Sequence, residues 1–226
     1  MKTYNDFSDE RLRGKCTYCN AAPTTRDHIP SKVLLSKPYP LNLQVVPACE
    51  ACNNSFSKDE VFLSFLIDYL IMLGSPFSES KVDSLKARYE SFDSLESRVL
   101  EFLTKDDDGR ISIKLENSRI ENVLIKFATC HILYETGTKV FTKPTHLAYW
   151  FLPQMTPRLL NEFNNPAEDP ILPEIGCRLM QRIFNDGNSW ITIQEGSYRY
   201  YISAGATCYV RLAIKEFLFC EAVWDF

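Results

Sequence analysis

The sequence predicts an α+β chain: a short, turn-rich N-terminal region tied by cysteines, a helical middle and a C-terminal antiparallel sheet. Three observations carry this. Cysteines are paired near the start, as Cys16-Thr17-Tyr18-Cys19 and Cys49-Glu50-Ala51-Cys52, with 29 residues between the pairs. Through the middle, Val82, Leu85, Tyr89, Phe92, Leu95, Val99 and Phe102 recur at three- and four-residue steps, the period of an amphipathic helix. Near the end, Cys208, Val210, Leu212 and Ile214 alternate with Thr207, Tyr209, Arg211 and Ala213, the period of a strand.

The elements follow in order. Ala22 to Ile29 reads as a strand and loop, and Leu43, Val45 and Val46 read as a partner strand leading into the second cysteine pair. Ser57-Lys58-Asp59-Glu60 has the S-x-x-E form of a capping box. It predicts a buried helix over Phe62 to Leu73, stopped by Gly74 and Pro76. The periodic run from Val82 to Phe102 predicts one long helix. Asp106-Asp107-Asp108-Gly109 predicts a turn entering a strand at Ile111, Ile113 and Leu115. Ser118-Arg119-Ile120-Glu121 is a second capping box, opening a helix through Tyr134 that ends near Gly137. Thr156-Pro157 reads as an N-cap with proline at the first helical position, for a short helix through Phe163. A proline-rich loop spans Pro166 to Pro173, and Glu174 to Phe184 predicts a further helix. Trp190 to Gln194, a Glu195-Gly196-Ser197 turn and Tyr198 to Ser203 form a hairpin, and Phe217 to Trp224 a last strand. Tyr198, Tyr200 and Tyr201 read as sheet packing, ahead of stacking on bases.

Composition narrows the class. The start, MKTYNDFSDE, has neither an apolar stretch nor a cleavage signature, so no signal peptide is expected. The longest apolar run, Val61 to Leu73, is interrupted by Ser64 and Asp68 and is too short to span a bilayer. These features predict a cytoplasmic protein with no membrane partner, whose eight cysteines serve as reduced thiols and metal ligands. Cys130, Cys177, Cys208 and Cys220 each sit singly among apolar residues and read as small core hydrophobes. Formal net charge is −4, but residues 1–39 hold seven Lys/Arg against four acids. That local excess is modest, so non-specific attraction to nucleic acid is expected to be weak.

Two C-x-x-C pairs present four thiolates, from Cys16, Cys19, Cys49 and Cys52, to one tetrahedral ion, which predicts a structural zinc. The long spacing predicts a folded hairpin between the pairs. Inside it lies Thr24 to Lys32, T-T-R-D-H-I-P-S-K. On an extended backbone Asp27 and His28 point to opposite sides. Asn53 follows the last cysteine directly. An Asp carboxylate and an Asn carbonyl are hard oxygen donors, suited to Mg²⁺ or Mn²⁺. His28, with an ordinary pKa of about 6.5, can be neutral at pH 7 and take a proton from water. His131, inside an apolar helix, reads as a core histidine. His146, ahead of Tyr149-Trp150-Phe151, reads as packing or surface.

The run C-x-x-C, then D-H-I-P-S-K, then N-L-x-x-V-P-A-C-x-x-C-N, resembles the HNH nuclease family. The resemblance spans about Cys16 to Glu60, about a fifth of the chain. It implies a treble-clef, ββα-metal core. It further implies that Asp27 is a metal ligand, His28 the general base, Asn42 the brace of the histidine loop, and Asn53 the residue completing the metal site. Three residues after that position, where the family often has lysine, this chain has Phe56, with Lys58 further on. The implied activity is metal-dependent cleavage of DNA; small bacterial proteins of this pattern are often genome-defence or mobile-element nucleases. The same site acting on RNA, and a non-catalytic module binding nucleic acid or a protein, are the alternatives. The implied organisation is a nuclease core over 1–60. Residues 61–226 then serve self-association, partner contact or substrate positioning.

Overall fold

The cysteine-bounded segment folds as a hairpin. Thr25–Ile29 (β1) pairs antiparallel with Gln44–Ala48 (β2), with Asp27 opposite Val46 and His28 opposite Val45. A computed structural model describes residues 14–76, 78–101, 103–105, 111–113, 117–167 and 171–225 of the chain. A 3-10 turn at Lys32–Leu34 follows β1. Helix α1 (Glu50–Leu73) follows β2 directly, then α2 (Glu79–Arg88) and α3 (Phe92–Leu100). A small pair, β3 (Leu103–Lys105) with β4 (Ile111–Ile113), precedes α4 (Asn117–Thr136). After β5 (His146–Phe151) come α5 (Pro157–Asn164) and α6 (Arg178–Asp186). The meander β6 (Ile191–Gln194), β7 (Tyr198–Ala204), β8 (Thr207–Ile214) and β9 (Leu218–Asp225) closes the chain. The five C-terminal strands form one antiparallel sheet in the order β5-β9-β8-β7-β6. The fold is therefore α+β, as the patterning predicts.

Helix α4 is the hub. One face of it packs with Phe62 and Leu66 of α1 and with Val210 and Leu212 of β8 in the main hydrophobic cluster. Another packs Cys130 and Leu133 against Ile29 and Val46 of the hairpin. The reverse face of the sheet is covered by Phe163 of α5 and by Trp190, packed on Ala213 and Phe219. Each large apolar side chain so buried contributes about 1.5–3 kcal/mol. Residues on both sides of Glu60 thus share one core. The single cysteines 130, 177, 208 and 220 are all buried, as expected.

Four elements differ from expectation. Helix α1 begins at Glu50, not after Ser57, because the second cysteine pair forms its first turn. Cys49 is the N-cap residue, and Asn53 N–H donates to the Cys49 carbonyl at 3.0 Å. Glu60 is then no capping partner but a buried helix residue. The long helix predicted from Val82 breaks at Tyr89, whose backbone is extended (φ −121°, ψ 106°). The break drops the Tyr89 ring into the core edge-on to Phe65, with its hydroxyl donating to Asp68 Oδ2 at 2.7 Å. Helix α6 starts at Arg178 rather than Glu174, capped by Cys177, whose sulfur accepts from Met180 N–H. Strand β5 was not read from the sequence; it begins at His146 and pairs along the sheet's edge with β9. The Asp106–Gly109 turn, Phe102 and Leu115 lie outside the described residues, as do the charges at positions 1–13. Among the described residues no helix is long and apolar enough to cross a membrane.

Candidate active site

The hairpin stem and the start of α1 bring the two cysteine pairs together. Thr17 N–H and Oγ1 both donate to the Pro47 carbonyl, at 2.9 and 2.7 Å. Thr24 Oγ1 accepts from Glu50 N–H at 3.0 Å. The sulfurs of Cys16, Cys19, Cys49 and Cys52 all lie within 4.8 Å of one another, and Cys19 and Cys49 are 3.7 Å apart. A tetrahedral ion with Zn–S of about 2.3 Å has S···S edges of ~3.8 Å, so the four sulfurs could hold such an ion. Burial pushes the Cys16 thiol up, but backbone N–H donors from Cys49, Tyr18 and Cys19 outweigh it and bring it down to about 7. Burial and the neighbouring sulfurs push Cys52 up. Four crowded sulfurs resist ionising together, and a bound dication removes that resistance.

Below the cysteine cluster, β1 alternates as extended backbone requires. Asp27 is buried with Ile29, while His28 is half-buried. Asp27 Oδ2 accepts from the Tyr18 hydroxyl at 2.6 Å and pairs with Lys126 Nζ of α4 at 2.7 Å. Lys126 also pairs with Glu60 of α1. Burial disfavours the Lys126 ammonium, but Glu60 and Asp27 outweigh it and raise its pKa. Burial, with Cys130 and Asp27 nearby, keeps Tyr18 a hydroxyl donor. Asp27 Oδ1 carries no hydrogen bond among the described residues, and Asp27 lines a groove of about 270 Å³ together with His28, Ser31, Lys32, Asn53 and Glu60.

His28 has its pKa lowered, first by burial and then by Lys32 and Lys126, with Asp27 opposing. At neutral pH its imidazole is uncharged and can accept a proton. Asn53 sits in the first turn of α1, and its Nδ2 donates to Thr25 Oγ1 at 3.3 Å. That bond leaves its carbonyl oxygen available to the groove. Asn42 is exposed in the turn before β2 and does not line the groove. Phe56 packs against Tyr18, ring centroids 5.0 Å apart, with Lys126 Nζ 5.0 Å over its ring. Lys58 is exposed, and its carbonyl accepts from Arg119.

Sequence reasoning missed Tyr18, Glu60 and Lys126. Tyr18 looks like a spacer between two cysteines, and Glu60 like a capping residue. Lys126 did leave a signal: it is the one Asp, Glu, Lys or Arg in the largely apolar stretch Val123 to Leu133. Such a charge is buried only with partners.

A second buried polar cluster ties the hairpin to the sheet. Gln44 of β2 donates to the Tyr200 hydroxyl at 2.8 Å, and Tyr200 donates to Glu135. Arg182 Nη2 donates to both Glu135 oxygens, at 2.6 and 2.7 Å. His131 stacks on Tyr200 with centroids 3.7 Å apart, and its Nε2 lies 2.9 Å from the Tyr198 hydroxyl. It is a core histidine, and Tyr198, Tyr200 and Tyr201 are buried sheet residues. His146 is exposed, 3.8 Å from Glu221 and outside the groove. Comparisons with protein-family models, curated proteins and solved structures gave no match.

Proposed function

We propose that this chain is a metal-dependent endonuclease of the HNH type that hydrolyses phosphodiester bonds in DNA. The observation that supports the reading is the groove into which Asp27, His28 and Asn53 converge beside a four-cysteine cluster. The cysteines hold zinc, which fixes the hairpin against the first turn of α1. Neutral His28 takes the proton from the attacking water. Asp27 Oδ1 and the Asn53 carbonyl are hard oxygen donors and fit Mg²⁺ or Mn²⁺. When bound there, such an ion supplies charge stabilisation at the phosphate. Tyr18 and Lys126 hold Asp27 from behind, so that its remaining oxygen faces the groove.

The test is incubation of purified, zinc-loaded protein with supercoiled plasmid, single-stranded DNA and RNA, each with Mg²⁺, Mn²⁺ or EDTA. Nicking or linearisation that needs Mg²⁺ or Mn²⁺ and stops in EDTA is expected. A folded, zinc-loaded protein that cuts nothing under any metal overturns the enzymatic reading. Cleavage confined to RNA reassigns the substrate.

A further inference from the structure

A second groove, of about 420 Å³, adjoins the first; Lys32 and Val33 are walls of both. Its other walls include Ser36, Lys37, Tyr39 and Arg88. The backbone of this segment is clamped from two sides. Gln194 of β6 donates to the Ser36 and Pro38 carbonyls at 2.8 and 3.2 Å and accepts from Ser36 N–H at 2.8 Å. Arg88 of α2 donates to the Val33 and Leu35 carbonyls at 2.8 and 3.2 Å. The side chains of Lys32, Lys37 and Tyr39 stay exposed on this fixed backbone. Lys32 Nζ stands 5.7 Å over the Tyr39 ring. Neither lysine has a carboxylate partner among the described residues, whereas Arg88 has Asp68 at 3.4 Å.

In a chain of net charge −4, two ammonium groups with no carboxylate partner among the described residues, in one groove with an exposed aromatic ring and next to the candidate cleavage groove, form a distinctive surface. Ammonium groups take phosphates. An aromatic ring takes the face of a base, and in a duplex both faces of each base are already stacked. Resting on the nuclease reading, we infer that Lys32, Lys37 and Tyr39 form a subsite for unpaired polynucleotide beside the scissile bond. The lysines hold phosphates and Tyr39 stacks one base. The favoured substrate is then DNA with a single-stranded segment at the cut, such as a flap or overhang, over plain duplex.

The experiment measures binding in EDTA, so that it does not depend on cleavage. Full-length protein is titrated into fluorescently labelled blunt duplex, the same duplex with a single-stranded flap, a single-stranded DNA and the matching RNA. Flap and single strand are expected to bind more tightly than blunt duplex. Tyr39→Ala should weaken flap and single-strand binding about 5- to 150-fold, the worth of one stacked base, and leave duplex binding unchanged. Tyr39→Phe should restore it. Lys37→Ala should reduce the slope of log K against log salt by about 0.7 for single strands. Melting curves confirm that each variant is folded. Equal binding of all DNAs, or single-strand binding indifferent to Tyr39→Ala, overturns the inference. Tyr39-dependent binding by a protein that cuts nothing keeps the subsite and removes the nuclease; cutting indifferent to Tyr39 does the reverse.

Discussion

Helix α4 anchors two buried ion pairs built from the same parts. In one, a cation from α4, Lys126, and a tyrosine hydroxyl, Tyr18, converge on Asp27. In the other, Arg182 and the Tyr200 hydroxyl converge on Glu135 of α4 itself. The difference is saturation. Glu135 is 0 % exposed and both its oxygens are engaged, one by Arg182 alone and one by Arg182 and Tyr200. Arg182 spans both oxygens through one nitrogen, Nη2. Lys126 and Tyr18 both address Asp27 Oδ2, and Asp27 is one of the residues that line a groove. One pair is enclosed on all sides, and the other borders a groove.

Zinc removal should be the most severe, because the four cysteines that could hold the ion bring together the start of α1 and the hairpin that carries Asp27 and Gln44. A structural zinc site contributes on the order of 10–16 kcal/mol in small zinc domains. Cys49→Ser should therefore unfold the N-terminal region, and elemental analysis should find one zinc per folded chain. Folded, active protein containing no zinc would contradict this.

His28→Ala separates chemistry from structure. The melting temperature and zinc content should be unchanged, while cleavage falls about 10²–10⁴-fold, the usual span for a general base. Undiminished plasmid cleavage by this variant would take His28 out of the mechanism.

The two ion pairs should then respond differently to losing their cations. Arg182→Met strands a buried carboxylate and should cost about 3–5 kcal/mol in denaturant unfolding. It should leave Mn²⁺ affinity, measured by calorimetry on the zinc-loaded protein, unchanged. Lys126→Met should cost less, because Asp27 and Glu60 can draw water from the groove, and it should alter Mn²⁺ affinity. The same Mn²⁺ affinity in both variants would erase the distinction between the pairs.

The smallest effect concerns pH. Burial, reinforced by Arg182, holds the His131 pKa well below its ordinary value. Tyr198 and Tyr200 of β7 face its ring, and Glu135 lies one helical turn further along α4, locked to Arg182. The unfolded chain takes up a proton below pH 6.5 that the folded chain refuses. This stability is therefore complete above about pH 6.5 and is lost as pH falls, by at most about 1.4 kcal/mol per pH unit. His131→Phe should flatten that part of the curve of unfolding free energy against pH; an unchanged slope would assign the acid sensitivity elsewhere.

What the sequence disclosed and what it withheld divide along chain separation. The cysteine pairs, the hairpin between them and the opposite orientation of Asp27 and His28 follow from local spacing and strand geometry, and all were legible. So was the C-terminal meander, because its alternation is uninterrupted. Lys126 lies 99 residues from Asp27, and nothing local to either announces the pair. Ser57 to Glu60 misled for the same reason: a capping pattern sat inside a helix whose true start is fixed by Cys49. The break at Tyr89 preserves helical spacing in the sequence, and the reason the backbone turns there lies in distant partners, the Phe65 ring and the Asp68 carboxylate.

Helix α1 has a mechanical consequence. Its 24 residues, about 36 Å at the usual rise, start at the cysteine cluster, and its later turns, with Phe65, Leu66 and Leu70, pack in the main core. It acts as a rigid strut, so the cysteine-bearing end cannot loosen without levering on the rest of the molecule. Heat should therefore melt the protein in one calorimetric transition. A chain cut at residue 75 should not survive as a working fragment, since α4, with Leu124, Lys126 and Phe127, would go with the missing part.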